Sequence, residues 1–229
     1  MRLVRLDPGH ARLATLDVET TAFDAAEGEL VAVGVGVHDR GDSAAAASWD
    51  TFLRDGSGEV ALVRRALNRL AAADPDLLLT YNGRAFDVPF VRERLAALDA
   101  DLSLPARLTD PARHLDLFLA RRRRAARTGE PWPTLEDCLA AYGFPDPVTR
   151  LDGRRITNER FGEVLGPAVL DAVADGGAPS DDLERAVRHY LRTDLVATLA
   201  VYAGDVGWPF EPGALGEDRA FETGAGVWD

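Results

Sequence analysis

Apolar residues change their spacing along the chain, and each change marks a predicted element of secondary structure. Where they alternate with polar residues or form short β-branched runs, the pattern predicts strands at 12–20, 29–37, 45–53, 77–81 and near 106–110. Where they recur every three to four residues, it predicts helices at 59–73, 87–98, about 114–127, 134–142, 157–174 and 181–205.

The order of these elements predicts an α/β fold. Three strands come first, strands and helices then alternate, and helices follow. This order favours a mixed sheet of about five strands, with the first three antiparallel, and helices on its faces. We expect one domain over residues 1–206. Residues 207–229 contain Gly, Pro and acidic residues, and we expect them to form a poorly ordered tail.

Composition excludes several classes of protein. A chain of 229 residues with 46% hydrophobic content can form a sizeable core. The single cysteine, Cys138, excludes a disulfide framework and a cysteine-rich zinc site, and we expect no disulfide-linked partner. The sequence has no apolar run near the ~18 residues of a membrane span and no signal-peptide core at its start. We therefore expect a cytoplasmic protein without a membrane partner.

The charge balance first disfavours nucleic acid as a partner, because the net charge is −12 and phosphate contacts need Lys or Arg. All 26 basic residues are Arg, however, and the chain is rich in Asp and Ala and has a single Ile, Ile156. This composition resembles that of salt-adapted proteins from haloarchaea. In ~1 M salt the screening length is about 3 Å, so an acidic surface would repel a polyanion only at short range. We expect an activity that needs high salt.

Two acidic residues, Asp17 and Glu19, lie within the first predicted strand. Side chains alternate along a strand, so this pair shares one face, about 7 Å apart at ~3.3 Å per residue. The surrounding residues are apolar, and an unpaired charge is costly in such a place. The pair could share a metal ion, or it could mark a partly exposed strand end. The same Asp-x-Glu spacing recurs at Asp182 and Glu184.

A turn between a strand and a helix carries a third acid. The strand over 77–81 ends at Asn82, and the next helix is predicted to begin near Asp87. Asp87 could cap this helix. Capping does not explain the aromatic residues on both sides of the acid, Phe86 and Phe90.

The helix predicted over 181–205 contains a tyrosine and a fourth acid on one face. Tyr190 and Asp194 are four residues apart, about 40° from alignment, whereas His189 lies about 140° away from Asp194. On a continuous helix Tyr190 therefore accompanies Asp194, and His189 does not. The alternative is a core tyrosine beside a surface aspartate.

Three segments resemble, in chain order, the three motifs of DEDD-type 3′–5′ exonucleases of the ribonuclease H-like superfamily. These segments are Asp17-Val-Glu19-Thr-Thr, Asn82-Gly-Arg-Ala-Phe-Asp87-Val-Pro-Phe and Tyr190-Leu-Arg-Thr-Asp194. The second is also similar to the proofreading domain of family B DNA polymerases and to stand-alone relatives of that domain. The resemblance covers about residues 12–205, with no recognised motif in 143–180, and it implies a ribonuclease H-like fold.

The resemblance implies a metal-dependent exonuclease that acts on DNA or RNA 3′ ends and releases nucleoside 5′-monophosphates. Two divalent ions, Mg²⁺ or Mn²⁺, would be bound by four carboxylates, those of Asp17, Glu19, Asp87 and Asp194. Asp17 would bridge both ions, with Glu19 and Asp194 beside the nucleophile. Asp87 would hold the second ion through water. Tyr190 would orient the attacking water, because an ordinary Tyr pKa near ~10 disfavours its action as a base.

Other residues are candidates for contact with the substrate. By the resemblance, Thr20, Asn82 and Phe86 would lie near the terminal nucleotide, where Phe86 could stack on a base. An Arg-rich run and the tryptophan that follows it could form a nucleic-acid track through Arg121, Arg122, Arg124 and Trp132. The alternative for this run is a solvated helix end that balances the acidic surface. We expect His114 and Asp116 to support the sheet edge or the metal ligands.

Two other functions are alternatives to an exonuclease. The chain could be a catalytically silent nucleic-acid-binding module of the same fold, or it could be a ribonuclease H-like endonuclease. The complete set of four acids with Tyr190 disfavours a silent module. The tyrosine in the third motif favours an exonuclease over an endonuclease.

Overall fold

The computed structural model of this protein describes residues 1–174, 176–223 and 228. Its strands are β1 Arg12–Thr20, β2 Leu30–Asp39, β3 Ser48–Leu53, β4 Leu77–Thr80, β5 His114–Asp116, β6 Thr149–Leu151, β7 Arg154–Arg155 and β8 Arg219–Phe221. Its α-helices are α1 Glu59–Ala73, α2 Asp87–Ala97, α3 Ala106–Thr109, α4 Leu117–Thr128, α5 Leu135–Tyr142, α6 Asn158–Arg160, α7 Gly166–Ala174 and α8 Asp181–Val206. A π-helical turn over Phe161–Leu165 joins α6 to α7, and 3₁₀ turns lie at Ala44–Ala46 and Pro212–Leu215.

Five of these strands form the main sheet, in the order β3-β2-β1-β4-β5. Strands β1, β2 and β3 pair in antiparallel fashion. Strands β4 and β5 run parallel to β1 and are reached through helical crossovers, which parallel pairing requires. The structure therefore confirms the predicted mixed sheet, with three antiparallel strands first and helices on its faces.

The fifth strand lies further along the chain than the position predicted near 106–110. Residues Ala106–Thr109 instead form the short helix α3, directly after Pro105. A proline fits the start of a helix because it lacks an N–H that would be unpaired there. Leu108 is buried in the core. In so short a segment, one buried apolar side chain gives the same sequence pattern on a helical turn as on a strand. The strand itself pairs His114 with Leu78 of β4.

The sheet has a hydrophobic core on each face. Helices α1 and α2 cover one face, where Ala14, Leu16 and Val18 of β1 are buried. Helix α8 crosses the other face, against Leu13 of β1 and Leu79 of β4. Among the described helices, none is both long and apolar enough to cross a membrane.

Helix α8 approaches the sheet closely at Gly34 of β2. A Cβ atom at this position would lie 2.7 Å from Leu195 Cδ1 and 2.9 Å from Leu191 Cγ, a separation that real Cβ atoms do not show. In the β1–β2 pairing, Gly34 lies opposite Asp17. The missing side chain at Gly34 therefore lets α8 lie against the sheet beside Asp17.

The C-terminal segment packs against the rest of the chain, so the prediction of a poorly ordered tail is wrong for its described part. Strand β8 pairs in parallel with β6, in a second sheet of order β7-β6-β8. Leu215 and Phe221 are buried. These two anchors are too far apart in sequence to form a periodic pattern, so the composition alone suggested disorder. Residues 224–227 and 229 lie outside the described residues, and the packed structure extends past residue 206.

Candidate active site

A cavity of about 1050 Å³ opens at the edge of the main sheet where β1 and β4 end. Its wall is formed by parts of five segments, 17–27, 81–87, 134–139, 146–163 and 190–198, and by Phe118. In open α/β sheets, ligands bind outside the carboxyl ends of the strands. The cavity therefore lies where this architecture places a site.

Three carboxylates meet on the wall of this cavity. Asp17 and Glu19 come from β1 and Asp194 comes from α8, and one oxygen of each lies within 4.8 Å of the other two. Period-two alternation puts the first two on one face of the strand. The close approach of α8 at Gly34 brings the third to them. Carboxylate oxygens at this spacing are the ligands that hard divalent cations prefer.

Asp87 faces the same cavity from the first residue of α2 and is only 3% exposed. Phe86, and not Asp87, occupies the N-cap position, so helix capping does not account for this acid. Asp116 on β5 stabilises the turn that precedes Asp87 in the chain. The Asp116 carboxylate accepts hydrogen bonds from the backbone N–H groups of Asn82 and Arg84, each at 3.0 Å. Asp116 thereby helps to fix the position of Asp87 at the start of α2.

Glu19 and Asp87 are buried and Asp17 and Asp194 are half-buried, and Arg155 is the one cationic side chain among the described residues that line the cavity with them. Desolvation raises the pKa of Asp17 to about 7. Burial raises the pKa of Glu19 well above its ordinary value, and the charges of the other three acids raise it further. The pKa values of Asp87 and Asp194 are raised by burial first and by the charge of Asp17 second. Such a group fits divalent cations, because bound cations would supply the missing positive charge.

Tyr190 lies one helical turn before Asp194 and faces the same cavity. Its hydroxyl donates a hydrogen bond to Asn158 Oδ1. His189 points elsewhere, since its Nδ1 is hydrogen-bonded to Thr149 Oγ1 at 2.7 Å. The structure therefore brings Tyr190, and not His189, to Asp194, as the rotation of a continuous helix predicts.

Comparison with known families decides the class of this chain. The family model of the RNase H superfamily matches residues 14–158, which is more than half of the 229 residues. This chain belongs to the RNase H superfamily. No curated protein matches it.

The fold of this RNase H superfamily member is similar to that of a family B DNA polymerase from the hyperthermophilic archaeon Pyrobaculum calidifontis. The TM-score is 0.58 at 17% sequence identity. The match covers 84% of this chain and 24% of the polymerase, so the chain spans about a quarter of the length of that protein. At this identity the likeness shows a shared fold.

Sequence reasoning missed the segment 143–180, which contributes one wall of the cavity in this RNase H superfamily fold. Asp146, Arg155 and Asn158 line the cavity from this segment. Its two strands and first helix are very short. They give too little periodicity to show which side chains face the site. The one available signal was Thr157, whose hydroxyl caps the helix that begins at Asn158.

Thr20, Asn82 and Phe86 all line the cavity, where a substrate could reach them. The Thr20 hydroxyl donates to the carbonyl of Ala22 at 2.8 Å and so holds the chain just after β1. Asn82 has a φ of 74°, a left-handed conformation that turns the chain between β4 and α2. Phe86 contacts Phe23 edge-on at 5.9 Å, and Phe23 is 77% exposed at the cavity wall. No motif indicated Phe23, which adds a second aromatic surface to the cavity wall.

The Arg-rich run on α4 divides between the core and the surface. Arg121 is fully buried, and its guanidinium binds both carboxylate oxygens of Asp205, at 2.5 and 3.1 Å. The prediction that Arg121 contacts nucleic acid is therefore wrong, because helical rotation points this side chain inward to α8. Arg122 is exposed and stacks over Trp132 at 4.5 Å, and Arg124 is exposed as well.

Replacing Arg121 by Ala should destabilise the fold by about 3 kcal/mol, or on the order of 10 °C in Tm. The Asp205 carboxylate would stay buried, with Arg5 at 3.0 Å and Tyr142 as its remaining side-chain partners. Thermal unfolding followed by circular dichroism measures the change. Arg123→Ala is the matched control, since Arg123 is exposed on the same helix and its loss should change stability by less than about 0.5 kcal/mol. Equal Tm values for the two variants would contradict a buried ion pair at Arg121.

Proposed function

We propose that this protein is a metal-dependent 3′–5′ exonuclease. It hydrolyses phosphodiester bonds at the 3′ ends of DNA or RNA and releases nucleoside 5′-monophosphates. The observation that carries the proposal is the meeting of Asp17, Glu19 and Asp194 within 4.8 Å, in a cavity that Asp87 and Tyr190 also line. Membership in the RNase H superfamily supports a nuclease.

The four carboxylates would hold two divalent ions, Mg²⁺ or Mn²⁺, and these ions would supply an activated water and positive charge at the leaving oxygen. The charge of Asp17 raises the pKa of each of the other three acids, Glu19, Asp87 and Asp194. Asp17 therefore lies within electrostatic reach of all three. In this proposal Asp17, Glu19 and Asp194, which meet within 4.8 Å, would hold one ion, and Asp17 together with Asp87 would hold the other.

Tyr190 orients the attacking water in this proposal. Burial and then the charge of Asp194 raise the pKa of Tyr190 well above its ordinary value, so the phenol stays protonated at neutral pH. The Tyr190 hydroxyl donates its hydrogen bond to Asn158 Oδ1, which leaves the lone pairs of the phenol oxygen free to accept a hydrogen bond from a water. Tyr190 therefore positions the nucleophile, and does not act as the general base.

Product analysis tests the proposal. We expect nucleoside 5′-monophosphates from single-stranded DNA or RNA in Mn²⁺, and a blocking group at the 3′ end should stop their release while one at the 5′ end should not. Internal fragments from a 3′-blocked strand would favour an endonuclease. Binding without any cleavage would favour a silent nucleic-acid-binding module.

Neutralising Arg122 and Arg124 together should weaken binding to DNA and RNA alike. Arg122 packs on Trp132, whose ring lies 6.1 Å from that of Phe118 on the cavity wall, so this surface leads into the site. Each lost phosphate contact should make the negative slope of log affinity against log salt shallower by about 0.7 for a single strand. Fluorescence anisotropy over a KCl series measures both quantities, with Arg127→Ala on the same helix as control. Unchanged affinity and slope would leave this run as a solvated helix end.

A further inference from the structure

Arg155 is the one cationic side chain on the cavity wall, within the part of the chain that the structure describes. The same wall carries ten acidic residues, of which four form the proposed metal cluster. Even with those four neutralised by divalent ions, six carboxylates would face an incoming polyanion. A phosphate group that enters this cavity therefore finds a single guanidinium to bind.

Strand β7 fixes the backbone of Arg155 and leaves its side chain partly exposed. In the β6–β7 hairpin Arg155 pairs with Arg150, and its carbonyl accepts a hydrogen bond from Arg160 Nη1 at 2.8 Å. The next residue, Ile156, is buried. The Arg155 side chain is 43% exposed, so a ligand in the cavity can reach the guanidinium without a movement of the backbone.

This guanidinium already forms an ion pair with Asp146. Arg155 Nη2 donates to Asp146 Oδ2 at 2.8 Å. The charge of Asp146 contributes to the raised pKa of Asp194, so the ion pair lies within electrostatic reach of the acid cluster. Ion pairs that are partly exposed, as this one is, contribute little to stability. Another anion can therefore take the place of the carboxylate at low cost.

We propose that the Asp146 carboxylate binds the Arg155 guanidinium where a substrate phosphate would bind it, and that a phosphate of the bound strand displaces this carboxylate. The inference rests on the proposed function, because it names how the same cavity recognises its substrate. A guanidinium binds a carboxylate and a phosphate with the same planar, two-pronged geometry. Arg155 is thus a substrate-binding residue, and Asp146 competes with the substrate for it.

The two partners of this ion pair should have opposite effects on substrate binding. Arg155→Ala should weaken binding of 5′-fluorescein-labelled single-stranded DNA about tenfold and make the negative slope of log affinity against log salt shallower by about 0.7. Asp146→Asn should tighten binding severalfold, because it removes the competitor and frees Arg155. Fluorescence anisotropy with Ca²⁺ in place of Mg²⁺ measures affinity without reference to turnover, and thermal melts verify that each variant is folded.

Arg154→Ala is the matched control, since Arg154 neighbours Arg155 on β7 but lies against Trp228 at 5.6 Å and does not line the cavity. It should bind DNA as the wild type does. Weaker binding by both Asp146→Asn and Arg155→Ala would indicate an ion pair that only supports the hairpin and would overturn the inference. Equal affinities for Arg155→Ala and Arg154→Ala would overturn it too. A wild-type protein that neither binds nor cleaves DNA or RNA would instead overturn the proposed function, so the two failures are distinguishable.

Discussion

Replacing Asp17 by Asn should lower the rate of metal-dependent strand cleavage by at least about a thousandfold. The amide removes one of the three carboxylates that meet within 4.8 Å and would hold the ions, so the proposed metal site becomes incomplete. Three decades in rate correspond to about 4 kcal/mol of transition-state stabilisation, which is within what bound divalent ions contribute. Single-turnover cleavage of a labelled oligonucleotide in Mg²⁺ or Mn²⁺ measures the effect.

Asp182→Asn is the matched control for this prediction. Asp182 and Glu184 repeat the Asp-x-Glu spacing at the start of α8, where Asp182 pairs with Arg185 at 2.5 Å. This variant should cleave at the wild-type rate. If Asp17→Asn keeps a native circular dichroism spectrum and cleaves as fast as Asp182→Asn, the carboxylate cluster is not the catalytic centre.

The same Asp17→Asn substitution should stabilise the protein in the absence of metal, and more so as pH rises. Burial raises the pKa of Asp17 from an ordinary value of 3.8 to about 7. The folded state therefore binds more protons than the unfolded state between these values, and stability falls as pH rises through this window. Asn does not titrate and avoids the loss. Because Asp17 opens onto the cavity, we expect a gain on the order of 1–2 kcal/mol above about pH 7, or about 5 °C in Tm.

Thermal melts in EDTA at about pH 5 and about pH 8 test this prediction, with the Tm difference between variant and wild type as the readout. Burial lowers the pKa values of His38, His114 and His189, which adds its own pH dependence, but both proteins share these residues and the difference cancels them. Mn²⁺ at about 100 times its Kd should stabilise the wild type by about 2.7 kcal/mol, and the variant by less. A metal site at Asp17 would be contradicted if Mn²⁺ left the wild-type Tm unchanged and if Asp17→Asn had the same Tm as the wild type at both pH values.

The sequence predicted those parts of the molecule in which the regular repeat of a strand or helix determines the face on which each side chain lies. Alternation along β1 places Asp17 and Glu19 on one face, and the structure shows their oxygens together. Helical rotation places Tyr190 with Asp194, and the structure shows both at the cavity. The five-stranded mixed sheet followed from the order of elements in the same way.

The sequence did not predict side-chain orientation in very short elements, or contacts between residues that are far apart in the chain. Arg121 belongs to a run of four arginines whose charge suggested a surface, and only its contact with Asp205, 84 residues later, shows that it is buried. Arg155 lies on a strand of two residues, too short for any periodicity to indicate the cavity. Phe221 pairs with Leu151 across the second sheet, and no local pattern reveals that pairing.

Cleavage of 5′-labelled single-stranded DNA and RNA of matched sequence, resolved on a denaturing gel, tests the central claim most directly. The reactions contain Mg²⁺, Mn²⁺ or EDTA, at low and at molar KCl. We predict a ladder that shortens progressively from the 3′ end, that depends on the divalent ion, and that is strongest in molar KCl. Cleavage in EDTA, internal cuts without a ladder, or an intact strand under every condition would contradict a metal-dependent 3′–5′ exonuclease.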